Sequence, residues 1–138
     1  MSTEAEVWTG QAGSLRLERL GPHASCLTAV GVVDQGAVAF LREALPAMLD
    51  GRDGEVSHFI DFEKLERPDP EVRNAYVSML LERRGSLRAL HSLMDKRSTL
   101  VMLVVSAAGL VFGDLVNRHK DRASFETAKR QALMPKAA

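Results

Sequence analysis

The sequence is poor in several features that specialised small domains rely on. It has a single cysteine, Cys26, so it cannot form an intrachain disulfide framework or assemble a zinc site from Cys pairs. Aromatics make up only 5% of residues: Trp8, Tyr76 and five scattered phenylalanines. They do not interleave with basic residues into a base-stacking surface. Eighteen Lys and Arg balance eighteen Asp and Glu for a net charge of zero, so the uniform positive field of a general nucleic-acid binder is missing. The longest apolar run, Leu100 to Val105, meets Ser106 and Gly109 before Gly113 and Asp114 close the stretch. A bilayer crossing needs about 20 apolar residues, so membrane insertion is not expected. The first residues carry Glu4 and Glu6 where a secretory signal has a basic start and an apolar centre. These absences together point to a cytoplasmic protein in a reducing compartment, with no nucleic-acid partner, metal or cofactor.

The chain does have 138 residues, 46% hydrophobic and 26% charged, enough for one globular domain with a real core. It is expected over residues 14–134, between an N-terminal tail of residues 1–13 and a C-terminal tail of residues 135–138. Ser14 to Leu20 alternates with period two, as a strand does. Gly21-Pro22 turns the chain into Cys26–Val33, apolar enough for burial on both faces, and the two segments form a hairpin. Val38, Leu41, Leu45, Met48 and Leu49 recur at helical spacing, with Pro46 expected to kink the last turn and Gly51 to stop the run. His58–Phe62 reads as a central strand followed by a charged loop from Glu63 to Pro68. Asp69-Pro70-Glu71 is the clearest helix start: a capping carboxylate, a proline with φ already set, and an acid that complements the dipole. Val72, Tyr76, Met79 and Leu80 face inward, and Gly85 ends the helix. Leu87–Leu93 gives another strand. Leu100–Val105 alone could be a buried strand by composition, but by its length Leu100–Val116 reads as a helix apolar on nearly every side, which needs cover on both sides; a subunit interface is expected, with a fully internal helix in a monomer as the alternative. Val116–Lys120 is a last short strand, and Ala123–Leu133 an amphipathic helix with Phe125, Ala128 and Ala132 inward. The order ββαβαβαβα implies an α/β domain with a mixed, mostly parallel sheet of about five strands and helices packed on it.

Little recognisable chemistry is visible. His58, His91 and Asp61 fall in neighbouring strands, but His58 and Asp61 are three apart and so lie on opposite faces, which argues against a metal triad. No Gly-x-Ser-x-Gly elbow occurs, and Cys26 at the start of an apolar strand reads as a small hydrophobe. Lys96, Arg97 and Ser98 join a strand to a helix start, where amides attract anions. The phosphate-loop pattern Gly-x-x-x-x-Gly-Lys is absent, so an ordinary basic cap is the plainer reading of them. Arg83, Arg84 and Arg88, and the cluster Arg118, His119, Lys120 and Arg122, read as solvated helix ends.

The pairing around Leu27–Val33, the strand His58-Phe59-Ile60-Asp61-Phe62 leading into Asp69-Pro70-Glu71, and the tail Asp121-Arg122-Ala123-Ser124-Phe125-Glu126 together resemble the STAS superfamily over residues 14–134. That superfamily includes anti-sigma-factor antagonists and the cytoplasmic regions of sulfate transporters, and has bacterial relatives akin to lipid-binding CRAL-TRIO modules. The resemblance implies a non-enzymatic interaction module with a regulatory or scaffolding role. Its partner surface would fall on Lys64, Glu66, Arg67, Asp69 and Arg73. Antagonists carry a phosphorylatable serine, usually after an aspartate, where the central strand hands over to the next helix; here Pro70 follows Asp69, and proline accepts no phosphoryl group. Self-association would use Leu100, Val104, Ala108, Val111 and Leu115. The alternatives are a carrier of a small apolar ligand or lipid, and an enzyme using His91, Lys96 or Arg97 on an anionic substrate.

Val104 and Val111 lie seven apart on one helical face. Replacing both with Glu is expected to give a folded monomer by light scattering coupled to size exclusion; global unfolding would assign that face to the core instead.

Overall fold

The computed structural model describes residues 5–50, 54–94 and 112–134. Six strands form one sheet in the order β1 (Ala5–Thr9), β2 (Gly13–Gly21), β3 (Ala24–Val33), β4 (Val56–Pro68), β5 (Leu87–Met94) and β6 (Val116–His119). The first three pair antiparallel and the rest run parallel to β3. Helix α1 (Ala37–Leu49) links β3 to β4 and α2 (Pro70–Glu82) links β4 to β5. Helix α3 (Arg122–Leu133) follows β6.

The alternation in β2 is realised: Leu15 and Leu17 are buried in the main core while Leu20 packs on the opposite side. That core joins β2–β5 to α1 and α2 through residues such as Leu27, Leu41, Leu45, Val72 and Leu80. A smaller cluster of Cys26, Phe59, Leu93 and Phe125 lies on the other face, with Ala128 and Ala132 of α3 against it. Each fully buried large apolar side chain contributes about 1.5–3 kcal/mol. Pro46 lies inside α1, which continues to Leu49.

Several expectations change. Residues 5–9, read as part of a tail, add a sixth strand because Ala5–Thr9 pairs in register with Ser14–Glu18. The presumed loop Glu63–Pro68 is strand: β4 carries extra residues opposite Thr28–Val30 and Gly31–Val32, two bulges that let Phe62 and Leu65 both reach the main core. Finally, α2 ends at Glu82, and Gly85 falls within a 3₁₀ turn, Arg84–Ser86. Most of the apolar stretch from Leu100 lies outside the described residues. Its end does not continue as helix: Gly113–Leu115 is a 3₁₀ turn and Val116 starts β6. Leu115, expected on a self-association face, packs against the main core within the chain.

Two polar side chains of β3 and β4 are sealed under α2. Ser25 Oγ lies 2.8 Å from His58 Nδ1, and His58 Nε2 lies 2.6 Å from the Tyr76 hydroxyl. A neutral imidazole has one donor and one acceptor, and both are used here. Burial lowers the His58 pKa to about 3. In the unfolded chain it returns to the ordinary value near 6.5, so between those limits the unfolded state binds the proton and the folded state does not. Stability is therefore full above pH 6.5 and declines as pH falls toward 3. Between pH 7 and 5 His58 is expected to remove about 2 kcal/mol, read as a lower urea midpoint. His58→Leu should flatten that dependence while lowering stability at pH 7; an unchanged acid slope would remove His58 as its source.

Candidate functional site

Parallel strands gather their carboxyl ends on one edge of the sheet, where α/β proteins place their sites. Here that edge holds the turns after Val33, Pro68 and His119. Asp69 N–H donates to the Val33 carbonyl at 2.8 Å, tying the ends of β3 and β4 together. Asp69 Oδ1 accepts from the Glu71 amide at 3.0 Å and Pro70 occupies the first turn, as its sequence requires. Lys64, Glu66 and Arg67 project from the bulged half of β4 as exposed side chains, with Asp69 and Arg73 half-buried beside them. The five expected partner residues thus share a contiguous stretch of β4 and the first turn of α2. Beneath them a cavity of about 30 Å³ is lined by Leu15, Phe62, Leu65, Val72 and Tyr76, among others; it has room for about one or two waters.

Trp8 closes the same edge from β1. A Cβ on Gly10 would overlap its indole, and one on Gly36 would lie 3.6 Å from Trp8 Cζ2, so two glycines make the bed in which the ring rests. Asp34 Oδ1 accepts from the Gly36 amide at 2.9 Å just before α1. Gly31, at φ +71°, allows β3 to pass against the Ala12 carbonyl, with which any side chain there would collide.

On the other face the only helix, among the described residues, is α3. Its first residue, Arg122, was read as a solvated helix end; instead it is clamped. Nη1 donates to Asp61 Oδ2 at 2.7 Å and Nη2 to Asp61 Oδ1 at 3.0 Å, with further bonds to Glu63 at 3.0 Å and Glu126 at 3.2 Å. A cation at a helix N-terminus opposes the dipole, and these carboxylates offset it. His91 lies flat on Phe59, ring centroids 4.5 Å apart, and its Nδ1 is 2.9 Å from His119 Nε2. His119 Nδ1 is 2.7 Å from Ser124 Oγ. Burial, then the neighbouring His119, lowers the His91 pKa to about 4; burial lowers that of His119 against the pull of Asp121.

The opposite-face argument for His58 and Asp61 is realised: His58 points to Tyr76 under α2 and Asp61 to Arg122 of α3. His91 shares Asp61's side, stacked on Phe59. Among the described residues no group of three His, Cys, Asp or Glu is placed to hold a metal. Cys26 is buried and burial pushes its thiol up to about 11, away from nucleophilic use. Lys96, Arg97 and Ser98, and Leu100, Val104, Ala108 and Val111, lie outside the described residues. Among the described residues no helix is long and apolar enough to cross a membrane. Sequence spacing had no means of finding the Arg122 clamp or the His91–His119–Ser124 chain, whose partners are 61 and 28 residues apart.

No family model matches the sequence, and no curated protein matches it. Solved structures do. A protein from Shewanella loihica described as of the DUF3478 family with a SpoIIAA-like fold aligns at TM-score 0.61 and 12% identity, over 92% of this chain and 93% of that one. An anti-sigma factor antagonist from Mycobacterium paratuberculosis aligns at TM-score 0.55 and 14% identity, over 94% and 95%. The anti-sigma factor antagonist SpoIIAA in its unphosphorylated form aligns at 0.57 and 18%, over 84% and 96%. The chain therefore has the SpoIIAA-like, STAS-type fold.

The Asp61–Arg122 pair holds α3 to the sheet by two charge-assisted bonds that Arg122 donates to a carboxylate only 9% exposed. Asp61→Asn is expected to lower stability by about 1–3 kcal/mol. Glu126→Gln, which weakens only surface contacts to Arg122 and Lys129, should cost under about 1 kcal/mol. Urea unfolding of both variants checks the ranking, and equal losses would refute it.

Proposed function

We propose that the chain is a protein-association module with a regulatory or scaffolding role, whose partner docks on a non-enzymatic surface of Lys64, Glu66, Arg67, Asp69 and Arg73. The observation that carries this reading is their contiguity at the carboxyl end of β4, three exposed and two half-buried, over a firmly capped helix start. Two structures that share the fold are described as anti-sigma factor antagonists, which supports a protein partner. The charges at this rim set selectivity and encounter rate, while apolar contact around Trp8 and Pro68 adds affinity. No serine follows Asp69, so the module is not switched by phosphorylation at that place. Self-association through residues 100–111 and a cytoplasmic location belong to the same proposal.

Reversing Arg67 and Arg73 to Glu is expected to abolish capture of a partner that the wild-type chain retains, with circular dichroism and thermal midpoint unchanged. Full retention by the folded double variant would move the partner surface elsewhere.

A further inference from the structure

Among the described residues there are two serine–histidine pairs, both bonded through Nδ1, and they differ in access. Ser25 and His58 are sealed in the core at 0% exposure, with Tyr76 closing the ring's other nitrogen. Ser124 is exposed, and its hydroxyl lies 2.7 Å from His119 Nδ1, whose Nε2 lies 2.9 Å from His91 Nδ1. One tautomer satisfies the whole chain: Ser124 donates to His119 Nδ1, His119 Nε2–H donates to His91 Nδ1, and the proton of His91 sits on Nε2. This is a nucleophile in reach of a base that a third group orients.

We propose that Ser124 is a nucleophile for acyl transfer from small activated esters, with His119 its general base and His91 a positioning residue. Ser124 Oγ bonds to the carbonyl carbon and its proton passes to His119 Nδ1. The ester C–O bond breaks, and the alcohol leaves with that proton. Water then adds to the acyl-serine by the same route, releasing the acid and restoring the hydroxyl.

The surroundings fit these roles. His119 is held edge-on to Phe125, centroids 5.7 Å apart, and His91 is fixed by its 9° stack on Phe59. The Ser124 amide donates to Asp121 Oδ1 at 2.8 Å, which sets the hydroxyl at the first turn of α3. Partial burial keeps His119 neutral and able to accept a proton, and Asp121 favours the imidazolium once it forms. The observation is independent of the surface on β4 and α2.

The test is labelling of the full chain with a fluorophosphonate, in which Ser124 Oγ bonds to phosphorus and fluoride leaves, together with the p-nitrophenyl acetate burst. One adduct per chain is expected, mapped by mass spectrometry to Ser124 and absent in Ser124→Ala, which leaves the amide cap intact. His119→Gln should slow labelling by about 100-fold or more. His91→Leu should also slow it, and His91→Asn, whose side-chain oxygen can take the place of Nδ1, should restore it. Should His119→Gln not fold, Ser124→Ala and the two His91 variants decide. No adduct, an adduct on another residue, or labelling of Ser124 indifferent to the histidine variants would overturn the proposal.

Discussion

A strand in the middle of a covered sheet has no face to give to water, and the first half of β4, residues 56–62, is such a strand. Its polar side chains must each find a partner inside the protein. His58 turns toward α2 and is satisfied by Ser25 and Tyr76; Asp61, three residues on, turns toward α3 and is satisfied by Arg122. An unpaired charge or imidazole at either position would cost several kcal/mol, so the seating of both helices is tied to this one strand. Consistent with that, no buried side-chain nitrogen or oxygen among the described residues is left without a partner. The two faces answer differently. The α2 side uses neutral groups that stay neutral because they are sealed, and the α3 side uses ionised groups because Arg122 is 40% exposed and remains in touch with solvent.

Much of the fold was legible because its signals are local. The period-two run around Leu15 and Leu17, the helical spacing from Val38 to Leu49 and the Asp69-Pro70-Glu71 start each act over one turn or one strand, and each appears where expected. What local pattern cannot express is pairing. Glu63-Lys64-Leu65-Glu66-Arg67-Pro68 reads as a loop because it is charged and ends in proline, yet it lies beside the second half of β3 with Leu65 as its single buried anchor. Two bulges shift the pleat so that Phe62 and Leu65 share a face, breaking the alternation on which a sequence reading depends. Ala5–Thr9 was missed for a similar reason: Trp8 is the only large aromatic in a polar segment, and its bed is made by Gly10 and Gly36, the latter 28 positions away.

The candidate site divides along the same line. Lys64, Glu66, Arg67, Asp69 and Arg73 are neighbours in sequence, so their clustering could be anticipated from Asp69 outward. The histidines could not be read that way. His91 and His119 meet only because β5 and β6 run parallel with Leu93 opposite His119, and Ser124 joins them only because α3 starts at Asp121 and turns back over Phe59. Arg122 illustrates the cost of reading charge without place: as a member of a basic run it suggests a solvated cation, and in the fold it is the most heavily bonded side chain on the α3 face among those described.

One regularity bears on what the carboxyl edge can bind. Among the described helices, α2 and α3 begin with an aspartate turned onto their own amides, Asp69 on Glu71 and Asp121 on Ser124, while Asp34 takes the amide of Gly36 just before α1. Free helix N-termini attract phosphates and carboxylates; at α2 and α3 that place is already occupied by a carboxylate of the chain, Asp34 stands beside the start of α1, and Glu71 adds a further negative charge at the start of α2. A small anion approaching these turns meets like charge where it would otherwise meet donors. Under the proposed function, recognition at this edge comes from side chains that stand clear of the caps, which are Lys64, Glu66, Arg67 and Arg73. Such mixed charges spread along a strand and a helix turn do not converge on a single small ion. They match an extended, oppositely patterned surface, which is the kind of surface the proposed protein partner would supply.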